Sequence, residues 1–178
     1  CSLDHVPAMG AAVGDINRDG QKEIVYASYN SLYVFHPDGT ILPGWPQTNP
    51  GGGYFSYQSP ALADIDHDDT LEIVVAEHRD GQGTYVFRHD GTIMSGWPYH
   101  FSRWTYCPPT VADLYRNQDL KVLCGLSGII GGAADVLYAF DDGSVLSGFP
   151  IIQPSGDAAE GNITVADLDG DQDMEVIF

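Results

Sequence analysis

Basic residues are scarce in this chain. Its 178 residues include 7 Lys and Arg against 25 Asp and Glu, for a formal net charge of −18. That balance excludes nucleic acid or an anionic membrane surface as a partner, because phosphate binding needs Lys and Arg to displace counterions. Long apolar runs are missing too. None approaches the ~18 residues of a membrane span, so no membrane insertion is expected. No stretch carries a helical apolar period of useful length. No Ser/His/Asp order, phosphate loop or nucleotide motif appears, and the one approach to a nucleophile elbow, Gly125-Leu126-Ser127-Gly128, continues into Ile129 instead of glycine. The six His residues are scattered without metal spacing. The chain reads as non-catalytic. Its first residues lack an initiator Met and the charged and apolar regions of a signal peptide, so it is expected to begin after a processing event or at a boundary.

What is present points to β structure. Hydrophobic residues make up 43% and aromatics 11%, too much for a disordered acidic tail. With 21 Gly, 11 Pro and 10 Tyr, the balance favours short strands and many turns. At this size a globular chain buries roughly 70% of its extended surface, enough for a core.

The acids repeat. Asp15, Asp64, Asp113 and Asp167 follow one another at intervals of 49, 49 and 54 residues. Three of them open a similar stretch that closes on an acid and a β-branched run, such as Asp64-Ile65-Asp66-His67-Asp68-Asp69-Thr70-Leu71-Glu72-Ile73-Val74, and the stretch from Asp113 to Leu123 is a worn copy. A second block is interleaved with the first. Leu32-Tyr33-Val34-Phe35, Asp38-Gly39-Thr40 and Gly44-Trp45-Pro46 recur as Thr84 to Phe87, Asp90-Gly91-Thr92 and Gly96-Trp97-Pro98. They recur again as Leu137 to Phe140, Asp142-Gly143-Ser144 and Gly148-Phe149-Pro150, with Trp45, Trp97 and Phe149 spaced by 52 residues. Each unit reads as four short strands. In the second they are Pro60 to Ala63, Glu72 to Ala76, Tyr85 to Phe87 and Thr92 to Met94, the last two joined by an Asp-Gly turn.

Four antiparallel strands per ~50 residues, repeated radially, predict an all-β chain of β-propeller blades. The alternative is a β-sandwich, whose hairpins need not resemble one another. Units are expected at 8–56, 57–105, 106–158 and 159–178, the last one cut short. About three and a half blades fall below the ~4 that closed propellers usually need. The expectation is therefore an incomplete propeller, completed by further blades or by another chain.

Chemistry enters through the acidic windows, which hold 15 of the 25 acids. Two carboxylates ~5 Å apart repel by roughly 3 kcal/mol at an effective dielectric of 20, so converging acids would splay a loop without a cation between them. Oxygen side chains at positions 1, 3, 5 and 9, with a backbone carbonyl at 7, suit Ca²⁺, which takes six to eight oxygens; Mg²⁺ keeps its waters and a strict octahedron. The expected ligand sets are Asp15, Asn17, Asp19, Gln21 and Glu23; Asp64, Asp66, Asp68, Thr70 and Glu72; and Asp167, Asp169, Asp171, Asp173 and Glu175. Three ions are expected, one per loop. The third window has Tyr115, Asn117 and Lys121 at positions 3, 5 and 9. No metal is expected there, and the Lys121 ammonium is expected to neutralise Asp113.

These repeated D-x-[DN]-x-D…E-[IV]-[IV] loops resemble FG-GAP/VCBS repeats over nearly the whole chain. The resemblance implies the Ca²⁺-bearing propeller of integrin α-subunit heads and of many secreted bacterial proteins. The Asp-Gly-Thr and Gly-Trp-Pro half is closer to the bacterial members. Asp69 and Gln172 replace Gly20 at position 6, which leaves the turn at those loops open. The implied role is a calcium-binding extracellular or cell-surface propeller segment for adhesion, taking a protein or carbohydrate ligand. The alternatives are a module of a secreted enzyme (a polysaccharide lyase or a peptidase-associated propeller) and a structural part of a surface assembly.

Other residues have quieter readings. Trp45, Trp97 and Phe149 are expected between blades, with sugar stacking as the alternative. His67, inside a loop, is expected to face water. Cys107 and Cys124 flank the third window and are candidates for a cross-strand disulfide in place of a metal, with two buried free thiols as the alternative. Cys1 is either a boundary residue or a lipid-modified terminus. The apolar, Gly-rich insertion from Gly125 to Asp135 is a candidate partner loop.

Overall fold

The computed structural model describes residues 10–55, 58–78, 83–101, 104–126, 134–153 and 161–178; Cys1 and most of the insertion after Gly125 lie outside them. Runs of β-branched and aromatic residues bounded by Gly, Asp and Pro form the strands. No helix occurs among the described residues. The first blade runs β1 (Ala12–Gly14), β2 (Glu23–Ala27), β3 (Ser31–Phe35) and β4 (Gln47–Thr48), in that spatial order. The second repeats it with β5 (Ala61–Ala63), β6 (Glu72–Ala76), β7 (Gly83–Phe87) and β8 (Tyr99–His100). The third has β9 (Thr110–Ala112), β10 (Lys121–Gly125), β11 (Ala134–Asp141), β12 (Ser144–Val145) and β13 (Ile151–Gln153). A hairpin of β14 (Thr164–Ala166) and β15 (Glu175–Ile177) follows. The pairings are antiparallel throughout, and the sheets have the form of an incomplete propeller.

The outermost strand corrects the reading of Thr92 to Met94. The Asp-Gly hairpin forms, with Asp90 accepting from the Thr92 N–H at 2.9 Å and its hydroxyl at 2.7 Å. The returning arm adds one bridge, Ile93 opposite Phe87, and then turns at Gly96 and the cis Trp97-Pro98 bond. Proline has no N–H to extend a ladder, and pairing resumes on the far side of it, with Tyr99 against Thr84. The outer strand is therefore Tyr99–His100. In the third blade the returning arm is long enough to register as β12, opposite Phe140 and Asp141.

Successive strand residues point to opposite faces, and consecutive blades meet face to face. Ile16, Val25, Leu32, Val34 and Trp45 on the trailing face of the first blade pack against Ile73, Val75, Tyr85 and Phe87 on the leading face of the second. Ile65, Val74, Val86 and Trp97 repeat this against Val122 and Phe140. Leu114 and Leu123 repeat it against Val165 and Val176. A central strand covered on both sides is buried throughout, as β6 and β10 are, whereas β2 alternates between buried and exposed.

The Trp repeat belongs to these joints. Trp45 lies edge-on to Phe87, ring centroids 5.9 Å apart, and its Nε1–H donates to the His89 carbonyl at 2.9 Å. Trp97 meets Phe140 in the same way at 5.3 Å. Glycine makes the close approach possible. A Cβ on Gly91 would lie 2.6 Å from the Gly44 carbonyl oxygen, and one on Gly96 2.6 Å from that of Asp142. The Gly-Trp-Pro corner of one blade thus seats on the Asp-Gly turn of the next.

Candidate metal centres

Each acidic window is the loop between the first two strands of a blade, and all four share one backbone. Position 4 is left-handed in every copy (Arg18, His67, Arg116, Gly170), and so is position 6 (Gly20, Asp69, Gln118, Gln172). The open question at Asp69 and Gln172 is thereby answered: both adopt the conformation of Gly20. Polar side chains tolerate it here because the first aspartate binds the main chain across the turn. Asp15 accepts from the Asp19 and Gly20 N–H groups, both at 2.9 Å. Asp64 accepts from Asp68 at 3.0 Å and Asp69 at 3.1 Å, and Asp113 from Asn117 at 3.1 Å and Gln118 at 2.7 Å. Asp167 accepts from Gly170 at 2.7 Å and Gln172 at 3.2 Å.

Position 9 closes the three acidic loops from the strand side. Glu23 Oε2 accepts from the Ile16 N–H at 3.1 Å, Glu72 Oε2 from Ile65 at 2.8 Å and Glu175 Oε2 from Leu168 at 2.7 Å. The second oxygen is different. Glu23 Oε1, Glu72 Oε1 and Asp66 Oδ1 are buried without any hydrogen-bond partner. A buried carboxylate oxygen without a hydrogen bond loses its hydration uncompensated, although Glu23 Oε1 has the His36 ring nitrogen 3.8 Å away. Burial, with Asp66 and Asp68 nearby, pushes the Glu72 carboxyl up to about 7.

Positions 1, 3 and 9 come together. One oxygen each from Asp64, Asp66 and Glu72 lies within 4.8 Å of the others, and Asp167, Asp169 and Glu175 do the same. Such a three-oxygen cluster fits a hard divalent ion, and the orphaned oxygens are the atoms that such an ion would satisfy. In the first loop Asn17 stands at position 3, and its amide donates to Asp19 at 3.0 Å. Position 5 lies outside the clusters: Asp19, Asp68 and Asp171 accept from the N–H groups of Gln21, Thr70 and Asp173 at 2.8, 2.8 and 2.9 Å. The Thr70 hydroxyl also donates to Asp68, at 2.6 Å, and these bonds hold the Asp68 carboxyl below the usual range.

The family comparison agrees with the loop geometry. Residues 15–75 match a family model described as FG-GAP-like repeat. That segment is similar to FG-GAP-like repeats. The matched segment runs from the first acidic loop through the second. No curated protein matches the chain in sequence. Among solved structures, the V. cholerae biofilm matrix protein Bap1 is similar over 94% of this chain, with 24% identity and a TM-score of 0.65. BBS1N, solved in complex with ARL6DN, is similar over 97%, with 10% identity and a TM-score of 0.61. The chain spans 23% of the Bap1 chain and 47% of the BBS1N chain. At these identities the likeness concerns the fold.

Among the four loops the third departs, and its chemistry corrects one expectation. Lys121 is buried, but its ammonium pairs with Asp119 and with Asp141, 2.8 Å away on β11, and not with Asp113. Asp113 is already engaged by the main chain. Burial works against the Lys121 charge, and the bonds to Asp119 and Asp141 outweigh it, holding the ammonium above the ordinary lysine value. Of the two readings of the cysteine pair the structure has the free one, and the candidate disulfide is not formed: Cys107 and Cys124 are buried thiols, not joined to each other. The recorded ladder ends with Leu123 opposite Thr110, Cys107 precedes β9, and the two thiols remain near enough for Cys107 to act on Cys124. Burial pushes the Cys124 thiol up to about 12, and its Sγ lies 3.1 Å from Thr84 Oγ1 on the preceding blade. His67 is exposed, as expected.

Sequence reasoning passed over one buried acid. Glu77, beside β6, accepts from Asn49 at 2.9 Å, from the Gly53 N–H at 2.7 Å and from the Tyr85 hydroxyl at 3.3 Å. Its counterparts in the other blades are Ser28 and Leu126, so no repeat signal marks it. Both of its oxygens are engaged. It clamps the linker between the first two blades.

Proposed function

We propose that this chain is a calcium-binding, extracellular β-propeller segment that serves adhesion or ligand binding and carries no catalytic site of its own. The observation that carries the reading is the set of orphaned buried oxygens on Glu23, Asp66 and Glu72, each in a loop with acids at the spacing of a hard-cation site. Asp15, Asn17 and Glu23 would hold one ion, Asp64, Asp66 and Glu72 a second, and Asp167, Asp169 and Glu175 a third. The position-5 acids and the main chain at Gln21, Thr70 and Asp173 complete each shell. Each ion would cancel carboxylate repulsion and stiffen the first hairpin of its blade. The outside of the cell follows from supply, because open, partly exposed loops need the millimolar Ca²⁺ of that compartment. The likeness to a biofilm matrix protein and the FG-GAP-like match support an adhesive role, with a protein or carbohydrate as ligand.

Calorimetric titration of the decalcified protein tests the reading. Three Ca²⁺ per chain are expected, with Kd values of roughly 10⁻⁵ to 10⁻³ M, and Asp66→Ala should leave two. Absence of binding heat, or an unchanged count in the variant, would overturn the loops as metal sites. A Kd far below micromolar would argue for a cytosolic protein instead.

A further inference from the structure

The first three loops each end beside a residue of their own blade that carries a matching charge. Phe35 pairs with Ile24, Phe87 with Ile73 and Phe140 with Val122. The residues just past these pairs are Glu23 and His36, Glu72 and Arg88, and Lys121 and Asp141. His36 Nδ1 lies 3.8 Å from the orphaned Glu23 Oε1, and Lys121 Nζ lies 2.8 Å from Asp141. Where position 9 is an acid, the residue after the third strand is a nitrogen base. Where position 9 is a lysine, that residue is an acid. The end of the third strand is thus the place from which a blade adjusts the charge of its own loop.

In the second blade the adjustment falls on a member of the acid cluster. Arg88 Nη2 donates to Asp66 Oδ2 at 3.3 Å, while Asp66 Oδ1 is the buried oxygen without a hydrogen bond. Position 3 is held differently in the other acidic loops: Asn17 Oδ1 and Asp169 Oδ1 each accept the N–H two residues on, both at 3.2 Å. Asp169 joins its cluster while bonded in this way, so a guanidinium is not what gathers the acids. Nor does Arg88 brace the fold: it makes one contact at this length, with its side chain 34% and that of Asp66 24% exposed, and such pairs add little stability. Its charge is permanent. That charge also reaches Asp68 and Asp90, two carboxyls that hydrogen bonds from Thr70 and Thr92 chiefly hold low.

We propose that Arg88 sets the calcium affinity of the second loop: it shares Asp66 with the ion, the guanidinium on one oxygen and the ion on the other, and weakens binding there below what the acids alone would give. The inference rests on the calcium reading above. Two cations on one carboxylate repel each other, so each lowers the other's hold. The same charge relieves repulsion among Asp64, Asp66, Asp68 and Glu72 when calcium is scarce. The second site therefore trades affinity for a loop that depends less on its ion.

Calorimetric titration of the decalcified parent, Arg88→Gln and Arg88→Lys with Ca²⁺, together with melting of each in EGTA, tests it. Arg88→Gln should tighten one of the three sites about tenfold, the order of effect of one unit charge close to a divalent ion near a protein surface. The other two sites should keep their Kd. In EGTA the same variant should melt below the parent, because the acids lose their internal counter-charge. Arg88→Lys keeps the charge and should match the parent in both measurements. In an Asp66→Ala background, Arg88→Gln should leave the two remaining sites as they were. Weaker binding in Arg88→Gln would make Arg88 a residue that positions Asp66 for the ion, and the proposal fails. It also fails if the remaining sites tighten in the Asp66→Ala background, since the charge would then act on the chain at large. Three ions in the parent with an unchanged Kd in Arg88→Gln would overturn this inference alone. No binding heat in the parent would overturn the calcium reading and this one with it.

Discussion

The loop from Asp64 to Glu72 and the loop from Asp113 to Lys121 turn at the same two left-handed positions and are tied by the same aspartate bonds to the main chain. Their centres differ. One gathers Asp64, Asp66 and Glu72 around buried oxygens that nothing in the chain satisfies; the other places a buried ammonium against Asp119 and Asp141. The backbone of the loop is thus the property of its first residue and its turn. Its charge balance is the property of position 9. In the second the cation is Lys121; in the first Arg88 reaches Asp66 Oδ2 at 3.3 Å, and the ion proposed above would come from solution.

The comparison can be broken most forcefully by chelation. A ligand bound only to the folded state adds about 2.7 kcal/mol at 100 times its Kd. Stripping three ions with EGTA should therefore lower Tm on the order of 20 °C for a chain of this size. An unchanged Tm would mean that the acidic loops balance their charge as the third one does, without an ion.

Exchanging the two centres has the next largest effect. Tyr115→Asp combined with Lys121→Glu gives the third loop the acids of the second at positions 1, 3 and 9, with Asn117 kept at position 5. In EGTA the double variant should be less stable by about 1–3 kcal/mol. That is below the ~3–5 kcal/mol for breaking a fully buried pair, because Asp119 and Asp141 remain half exposed. In Ca²⁺ the loss should be recovered and the calorimetric count should rise from three to four. A count that stays at three would show that the shared backbone is not sufficient to build a site.

Smaller effects separate the orphaned acid from the satisfied one. Burial, against hydrogen bonds from Gly53, Asn49 and Tyr85, holds the Glu77 carboxyl above its ordinary value. An acid raised on folding contributes most below its unfolded pKa, about 4.3, and that contribution is lost as pH rises through the folded value. The stability of the parent relative to Glu77→Gln should therefore fall from about pH 4 upward, while both proteins respond to EGTA by the same amount. If Glu77→Gln weakens the response to EGTA, Glu77 belongs to a metal site. The smallest expected effect is none: dithiothreitol should leave Tm unchanged, because Lys121 and not a disulfide balances the third blade. A drop in Tm would restore the Cys107–Cys124 bridge.

What the sequence disclosed follows the reach of its repeats. Asp15, Asp64, Asp113 and Asp167 mark loop positions because a local window fixes its own turn. The departure at Tyr115 and Lys121 was visible for the same reason. Partners set by register were not visible. Asp141 lies 20 residues from Lys121 and meets it only once β10 and β11 are aligned. The outer strands Gln47–Thr48 and Tyr99–His100 are two residues each, too short for an alternation to show. Gly91 is legible as part of an Asp-Gly turn, whereas the close approach at Gly44, Gly91 and Gly96 needs two blades in contact. Glu77 has no counterpart in the other units, so periodicity was blind to it.

The aspartate at the head of each loop has a consequence for how such a molecule changes over time. It ties off the turn through main-chain amides, so a blade keeps its outline while its ligand set drifts. If the acidic loops hold calcium as proposed, ion number and blade number are uncoupled: one site could be retired and another refitted without reopening a sheet, and dependence on dissolved calcium would be a graded trait, adjustable one blade at a time.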